Sequence, residues 1–447
     1  MRGWTARIVR IGILLAVAVG LAGIPAYTPA RAADASLVFA TLNALAQRHV
    51  DEPDPVHLLR AALEGVREAL RKAGITAELP DLRATDFALA RQEFQQRFDE
   101  AVARASGRIS EEELQYAAAR AMASSLGDSH TGFLSPQEME ERRRQQFNEA
   151  GYTGIGILLL SKSGRFYVRR VFPGSPAERA GLREFDRILT IDGQSTEGMS
   201  SEDVSGRIRG PGGTTVTLTV QRPGSSAPLT FSVVRAPIVV PTVEARVLPG
   251  PVGYLRFSQF TQGSSFQVRQ ALQDLLREGI QGLLLDLRGN PGGFVAELNR
   301  VADYLLGPGL PLYTAESRSE GRTTQFTRGP RVLPPDVPLV VLVDEDTASA
   351  AELLSAALQE HGRGILVGTR TSGAVLISIT VPFPGGAGVT VAIARLYTPR
   401  GAVLEKNGLH PDVEVDLALE DLDRGVDAQF VRAQTEILRR LATGPTR

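Results

Sequence analysis

The sequence of 447 residues contains no cysteine, and its 49 basic residues include only three lysines, Lys72, Lys162 and Lys406. The absence of cysteine excludes a disulfide framework, thiolate zinc sites, iron–sulfur clusters and a cysteine nucleophile. An excess of charge of one sign is also absent: the formal net charge is −1, which excludes a globally basic nucleic-acid binder. A hydrophobic content of 43% excludes a mainly disordered chain. The length is sufficient for about two or three domains.

The N-terminal segment has the pattern of a secretory signal. Basic residues in the first ten positions precede an apolar run over residues 11–24, and Ala30-Arg31-Ala32 then supplies small residues for cleavage. An uncleaved membrane anchor is the alternative, but this run is shorter than the ~20 residues that span a bilayer. We therefore predict a signal peptide over residues 1–32. The mature protein is expected to be exported, periplasmic or extracellular, and membrane-associated if the signal is retained.

Residues 33–150 predict a helical region, because apolar residues recur there at helical spacing. Ser110 and Glu113 form a capping-box motif that predicts a helix continuing to about Ser125. The segment Asp128-Ser129-His130-Thr131 then lies on a loop directly after that helix. Loops in such positions often present functional side chains.

Composition changes at Gly151, and residues 151–236 are punctuated by glycine and turn signals between strand-like stretches. Residues 237–447 instead alternate strands with helices, which predicts a parallel sheet built from βαβ units and an α/β fold class. The predicted strands and helices of this part are Gly282–Leu287, Phe294–Leu306, Leu339–Val343, Ala350–Glu360 and Ile365–Val367.

A glycine-rich turn at residues 287–293, Leu-Arg-Gly-Asn-Pro-Gly-Gly, follows one predicted strand and precedes a helix. Paired glycines let backbone N–H groups approach a negative ligand at a helix N-terminus. A phosphate site is one interpretation, although the P-loop and dinucleotide motifs are both missing. An oxyanion hole uses the same physics, and a plain tight turn is the simplest alternative.

Ser349 follows the next predicted strand and stands between alanines at the start of a helix. A serine in this position can act as a nucleophile, with the next N–H contributing to an oxyanion hole. Ser349 and Glu352 also match a capping box, so a purely structural role for the serine stays open at this point.

These motifs resemble those of one family, the tail-specific or C-terminal processing serine proteases. The resemblance rests on Asp286–Gly293, on Thr-Ala-Ser-Ala-Ala-Glu-Leu at 347–353 and on Gly-Leu-His-Pro-Asp-Val at 408–413. Residues 171–182 and 186–193 are similar to a PDZ domain, except that Phe185 stands where such domains usually have glycine.

The resemblance implies a helical N-terminal region, a β-rich PDZ domain inserted at 151–236 and a βαβ protease core at 237–447. It also implies a serine endopeptidase that cleaves unfolded or extended polypeptides, with no cofactor, metal or nucleic acid; a homo-oligomer is compatible with it. The implied residues are the nucleophile Ser349, the oxyanion-hole donors Gly292 or Gly293 with Ala350, and the peptide-binding loop Gly154, Ile155, Gly156 and Ile157.

The sequence departs from the family at the catalytic base. The family has a lysine 25 residues after the nucleophile in a Thr-x-Gly-Lys-Gly segment, whereas this chain has Ala374 there. The glutamine expected four positions later is Ser378, and none of the three lysines aligns with the site. The usual Ser/Lys dyad is therefore absent.

Either the protein is an inactive peptide-binding protein, or it uses a different base. The second possibility resembles the serine–histidine–glutamate arrangement of superfamily branches such as the tricorn protease. In this chain, Ser129-His130 and Glu405 occupy the corresponding places. A neutral imidazole, with an ordinary pKa of about 6.5, can accept the proton of Ser349. We therefore predict catalysis by Ser349, His130 and Glu405.

Simpler roles are possible for both new residues. In this alternative, His130 serves only to order its loop, and Glu405 serves only to pair with Arg400 on the surface. The remaining histidines lack metal-ligand spacing and are interpreted as ordinary surface or packing residues; they are His49, His57, His361 and His410.

Overall fold

The computed structural model describes residues 33–147 and 152–443. The predicted signal peptide at 1–32 lies outside the described residues. Within the described ranges, no helix is both long enough and apolar enough to cross a membrane.

The N-terminal region is helical, as predicted, and its amphipathic helices bury one shared apolar core that includes Phe94 and Phe98. The predicted capping box of Ser110 and Glu113 opens the fourth helix. The elements are α1 (Ser36–Arg48), α2 (Pro55–Lys72), α3 (Phe87–Ala105), α4 (Glu111–Ser124), β1 (Gly132–Leu134) and α5 (Pro136–Gln146).

The inserted domain is an antiparallel sheet with two short helices, and the chain enters and leaves it on one pair of strands. Its elements are β2 (Tyr152–Gly154), β3 (Ile157–Lys162), β4 (Arg165–Val171), α6 (Pro176–Ala180), β5 (Arg187–Ile191), β6 (Gln194–Ser195), α7 (Ser201–Ile208), β7 (Thr215–Gln221), β8 (Leu229–Val234) and β9 (Ala236–Ile238). The strand order is β3-β4-β5-β7-β8, with β6 on β5, while β2 pairs with β9.

The C-terminal core contains the parallel sheet that the alternation of strands and helices predicted. Its elements are β10 (Val243–Leu248), β11 (Val252–Phe257), α8 (Ser264–Arg277), β12 (Gly282–Asp286), α9 (Val295–Leu306), β13 (Pro311–Ser317), β14 (Gly321–Phe326), β15 (Leu339–Val343), α10 (Ala350–Glu360), β16 (Gly364–Gly368), β17 (Leu376–Pro382), β18 (Gly388–Tyr397), β19 (Val413–Glu414), α11 (Leu419–Arg424) and α12 (Ala428–Thr443).

The order of this sheet is β10-β11-β12-β15-β16-β19, and all neighbours from β11 onward are parallel. Helices α8, α9 and α10 pack on one face, and α12 covers the other. The inner strands β11, β12, β15 and β16 are therefore buried on both faces, which explains the continuous apolar runs of β12, β15 and β16.

A second, antiparallel sheet joins the helical region to the core. Strand β18 pairs with β1, β13 and β17, and β13 continues to β14. Two residues of β18, Val389 and Val391, complete the apolar core of the helical region. This docking places the loop after α4 beside the carboxyl end of the parallel sheet.

Phe185 adopts a backbone conformation that favours glycine, with φ of 69°. This accounts for the glycine that PDZ domains usually have there, and a non-glycine residue in this region costs roughly 1 kcal/mol. The phenylalanine ring packs against a cluster that includes Leu417 and Leu422 of the C-terminal segment. The substitution therefore exchanges local strain for a contact between the PDZ domain and the core.

Helices α2 and α4 cross at Gly65, and this contact generates a stability prediction. A methyl group at Gly65 would lie 2.4 Å from the carbonyl oxygen of Ala117 and 2.6 Å from Cβ of Ala121. Gly65→Ala is expected to lower the free energy of unfolding by about 1–3 kcal/mol, despite the better helix propensity of alanine. Urea unfolding followed by far-UV circular dichroism measures the change.

The matched control is Gly206→Ala in α7, where the added methyl group meets nothing within 4 Å. That variant is expected to gain about 0.5–1 kcal/mol from helix propensity alone. A Gly65→Ala protein as stable as the parent would contradict the tight crossing.

Candidate active site

Ser349 lies on a sharp turn between β15 and α10, with φ 56° and ψ −119°. Strained backbone of this kind is typical of functional turns and is maintained by the surrounding packing. Gly292 packs directly against it: a Cβ at Gly292 would lie 2.7 Å from Cβ of Ser349 and 2.8 Å from the nitrogen of Ala350. The glycine-rich turn and the serine turn therefore fit together only because residue 292 has no side chain.

Glu352 forms the predicted capping box with Ser349, whose N–H donates to Oε2 of Glu352 at 2.9 Å. The same buried carboxylate accepts hydrogen bonds from Thr371 Oγ1 at 2.5 Å, Gly373 N at 2.8 Å and Ala374 N at 3.0 Å. Burial raises the pKa of Glu352, and these hydrogen bonds oppose the rise. The capping and catalytic interpretations are therefore compatible, since Glu352 joins the serine turn to the segment that contains Ala374.

Ser349 lines a cavity of about 900 Å³ together with His130, Gly292, Gly293 and Ala374. All three lysines of the sequence lie within the described ranges, and none of them lines this cavity. Much of the wall is apolar and is contributed by Val295, Leu298, Leu353, Leu376 and Leu396. The cavity is large enough to receive several residues of a polypeptide.

The N–H groups expected to bind an oxyanion differ in availability. Gly292 N already donates to Oδ1 of the buried Asn290 at 2.9 Å, so it is not a free donor. The N–H groups of Gly293 and Ala350 have no acceptor among the described residues. Asn290 also accepts through its carbonyl from Ala348 N at 2.9 Å, which fixes the two turns relative to each other. Of the three expected positions, Gly293 and Ala350 thus remain as donors, and Gly292 provides close approach.

Glu405 reaches His130 through an intervening hydroxyl. Ser129 Oγ donates to Glu405 Oε2 at 2.9 Å and lies 2.7 Å from Nδ1 of His130. The carboxylate also accepts from Ser129 N at 3.2 Å and from Val375 N at 2.7 Å. The bridging role of Ser129 was missed from the sequence, where its adjacency to His130 was the one available signal.

The suggested ion pair between Glu405 and Arg400 is not formed. Arg400 instead donates from its backbone N–H to the carboxylate of Glu360 and from its guanidinium to the Glu360 carbonyl, both at 2.7 Å. Glu405 is therefore available for the histidine loop.

That loop is ordered by Asp128, whose Oδ1 accepts from the backbone N–H groups of His130 and Thr131 at 2.8 and 2.7 Å. Oδ2 of Asp128 lies 3.0 Å from Nε2 of the buried His49. Burial opposes ionisation of Asp128, yet the hydrogen bonds from His49 and the loop lower its pKa to about 2. The sequence interpretation of His49 was therefore incomplete, and the ring of His130 is not needed to order the loop.

The surroundings of the His130 ring favour its neutral form. Burial lowers its pKa below the ordinary value, and Arg142 adds to this effect, whereas Glu405 and Asp128 oppose it. No hydrogen bond joins His130 to Ser349 in the described structure, although both line the same cavity. Catalytic hydrogen bonds are often long in the absence of substrate.

The predicted peptide-binding loop lies at the edge of the PDZ sheet. Ile155 is buried, Gly156 has φ of 83°, and Ile157 begins β3, which has β4 as its only partner strand in the described structure. Ile157 shares a core with Val204 of α7, so this helix packs close to the edge strand. An extended peptide can add to such an edge.

The PDZ domain also contacts the serine turn. Nη1 of Arg169 in β4 lies 2.7 Å from Oδ2 of the buried Asp344, which directly follows β15. Asp344 accepts at its other oxygen from Gly289 N at 2.8 Å and from Thr347 Oγ1 at 3.0 Å. One PDZ side chain is therefore connected to both turns that build the site.

Comparison with known proteins supports the family and the domain order. Residues 251–415 match the model of peptidase family S41, and residues 167–222 match that of a PDZ domain. The carboxyl-terminal-processing protease of Synechocystis sp. is 34% identical over 325 residues, covering 71% of this chain and 75% of that protein.

Two further relatives agree. The chloroplastic C-terminal processing peptidase of Tetradesmus obliquus is 34% identical over 316 residues, covering 67% of this chain and 68% of its own length. The solved photosystem II D1 C-terminal processing protease is 29% identical, with a TM-score of 0.51, and the match covers 88% of this chain and 98% of that one.

The four hydrogen bonds of Glu352 predict a positioning role. In Glu352→Gln, an amide NH₂ would face an N–H or hydroxyl donor, so the turn that carries Ser349 would shift. A displacement of about 1 Å in such a site costs about 10²-fold. We expect kcat on an unfolded protein substrate to fall by about 10- to 100-fold with little change in KM.

Glu360→Gln is the matched control on the same helix, because Glu360 binds Arg400 away from the cavity. Its kcat is expected to match that of the parent. Equal kcat values for Glu352→Gln and the parent would contradict the positioning role.

Proposed function

This chain belongs to peptidase family S41, and on that premise we propose that it is an exported serine endopeptidase that cleaves unfolded or extended polypeptides with Ser349, His130 and Glu405. The observation that carries the proposal is the hydrogen-bonded series from Glu405 through Ser129 to His130. The last member of this series, His130, lines the same cavity as Ser349. Ala374, which stands in the place of the family lysine, lines that cavity as well.

The geometry supports a defined proton path. Ser129 Oγ donates to Glu405, so it accepts from Nδ1–H of His130 and leaves Nε2 as the free base. Nε2 takes the proton of Ser349 as Oγ attacks the substrate carbonyl, and later delivers it to the leaving amine. The N–H groups of Gly293 and Ala350 stabilise the charge that develops on the carbonyl oxygen.

Recognition of substrate C-termini is the second part of the proposal. Several relatives are named for carboxyl-terminal processing, and the loop Gly154–Ile157 lies at a free sheet edge beside α7. We expect the Ser349→Ala protein to bind peptides with a free C-terminus more tightly than their amidated copies. Equal dissociation constants for the free and amidated peptides, measured by fluorescence anisotropy, would contradict recognition of the C-terminus.

Export rests on the N-terminal sequence pattern of residues 1–32. Mass spectrometry of the protein recovered outside the cytoplasm tests it. We expect the mature chain to begin at Ala33, and a chain beginning at Met1 would contradict cleavage.

The most direct test of the activity is digestion of an unfolded protein by residues 33–447, compared with the Ser349→Ala form of the same chain. We expect fragments only from the parent. Parent protein that leaves the substrate intact, but gains activity on Ala374→Lys substitution, would establish a catalytically inactive peptide-binding protein instead.

The lowered pKa of His130 predicts a pH dependence. Protonated His130 cannot accept the serine proton, so kcat/KM falls as the pH drops through this pKa. Because burial lowers the pKa of His130, the acid limb is expected below the ordinary value of about 6.5. Measuring kcat/KM for a quenched-fluorescence peptide across the pH range gives the pH at which activity falls on the acid side.

Glu405→Gln sharpens this test, since Glu405 raises the pKa of His130. The residual activity of that variant should show an acid limb at still lower pH. A parent enzyme that gains activity only under alkaline conditions would contradict a histidine base.

A further inference from the structure

Arg142 on α5 lines the same cavity as Ser349 and His130, and its side chain has no hydrogen-bond or ion-pair partner within residues 33–147 and 152–443. Its Nε is buried and makes no hydrogen bond, and no carboxylate in the described ranges lies within ion-pairing distance of its guanidinium. Burial lowers the pKa of Arg142, and no acidic group among the described residues counteracts this effect. A half-buried cation of this kind is costly unless something binds it.

Other arginines of the molecule have carboxylate partners. Arg143 and Arg144, on the same helix, both donate from Nε to Glu140 at 2.8 Å. In the PDZ domain, a hydrogen bond to Asp186 raises the pKa of Arg222. The helix thus supplies a carboxylate to the neighbours of Arg142 and none to Arg142 itself.

The described part of the cavity wall carries no compensating negative charge. Among its described lining residues there is no aspartate or glutamate, and Arg142 is the side chain there that carries a full charge near neutral pH. Apart from glutamines, threonines and serines, the walls are mostly apolar. An anionic group entering this cavity would meet a guanidinium that is weakly screened by water.

The helix that carries Arg142 is held at both ends. Helix α5 begins with a capping box between Ser135 and Glu138. Near its other end, Gln146 O accepts from Gln262 N at 3.1 Å. Both ends of the helix are therefore fixed, so the backbone position of Arg142 at the cavity wall is set before a substrate binds.

We infer that Arg142 binds a carboxylate of the polypeptide substrate close to the scissile bond, so that the enzyme favours acidic groups there. This inference deepens the proposed function and rests on it. An arginine fork pairs with a carboxylate through two parallel hydrogen bonds, which gives both affinity and orientation. The carboxylate has two possible sources, an aspartate or glutamate side chain or the terminal carboxylate of the chain.

Two series of peptides separate these sources. In the first, every peptide is amidated at its C-terminus and one glutamate is moved along the positions flanking the cleaved bond, each paired with a glutamine copy. In the second, short peptides without acidic side chains end within a few residues of the bond as either the free acid or the amide. The measured quantity is the ratio of kcat/KM for the acidic to the neutral member of each pair.

We expect the parent enzyme to favour the acidic member by about 10- to 100-fold in at least one series, as a charge-assisted pair of ~1.5–3 kcal/mol implies. Arg142→Gln should reduce that ratio to about 1, and Arg142→Lys should restore part of it. Arg144→Gln is the matched control and should keep the parent ratio, including any share due to the PDZ groove. A ratio unchanged by Arg142→Gln in both series would overturn the inference.

A binding measurement separates this inference from the proposed activity. The Ser349→Ala protein, with and without Arg142→Gln, is titrated with the same labelled peptides. Loss of the acidic preference on Arg142→Gln supports the site even if the parent cleaves nothing. Equal acidic preference in both proteins overturns it even if the parent is an active peptidase.

Discussion

The geometry of the site depends on the hydrogen bonds that the carboxylate of Glu405 accepts. This carboxylate binds the backbone and hydroxyl of Ser129, 276 residues away in sequence, and the N–H of Val375 next to Ala374. It therefore holds the loop of the helical region against the segment that contains Ala374. A second buried carboxylate, Glu352, fixes that segment to the serine turn. His130 and Ser349 thus line one cavity, and no lysine lies among its described lining residues.

The fold was predicted well from sequence where local pattern and burial agree. Strand Leu339–Val343 and helix Ala350–Glu360 have the predicted bounds. A parallel strand buried on both faces is a continuous apolar run, and a helix on its face is amphipathic, so each is evident without the rest of the molecule. The position of Phe185 at positive φ likewise explains why the PDZ pattern has a glycine there.

The antiparallel sheet of β1, β13, β14, β17 and β18 was not predicted, because its strands are far apart in sequence and their pairing is set by docking of the helical region. The same reason applies within the site. Ser129 gains its bridging role only from Glu405, which is 276 residues away in sequence. Long-range geometry of this kind leaves no mark on local sequence patterns.

The base assignment is tested most directly by the kinetics of His130→Ala, Ser349→Ala and the double variant on one unfolded substrate. Groups that act as one catalytic unit are strongly non-additive, so each single variant should lose nearly all turnover and the double variant should be scarcely worse than either. Full activity in His130→Ala would contradict the account and would require another base for Ser349.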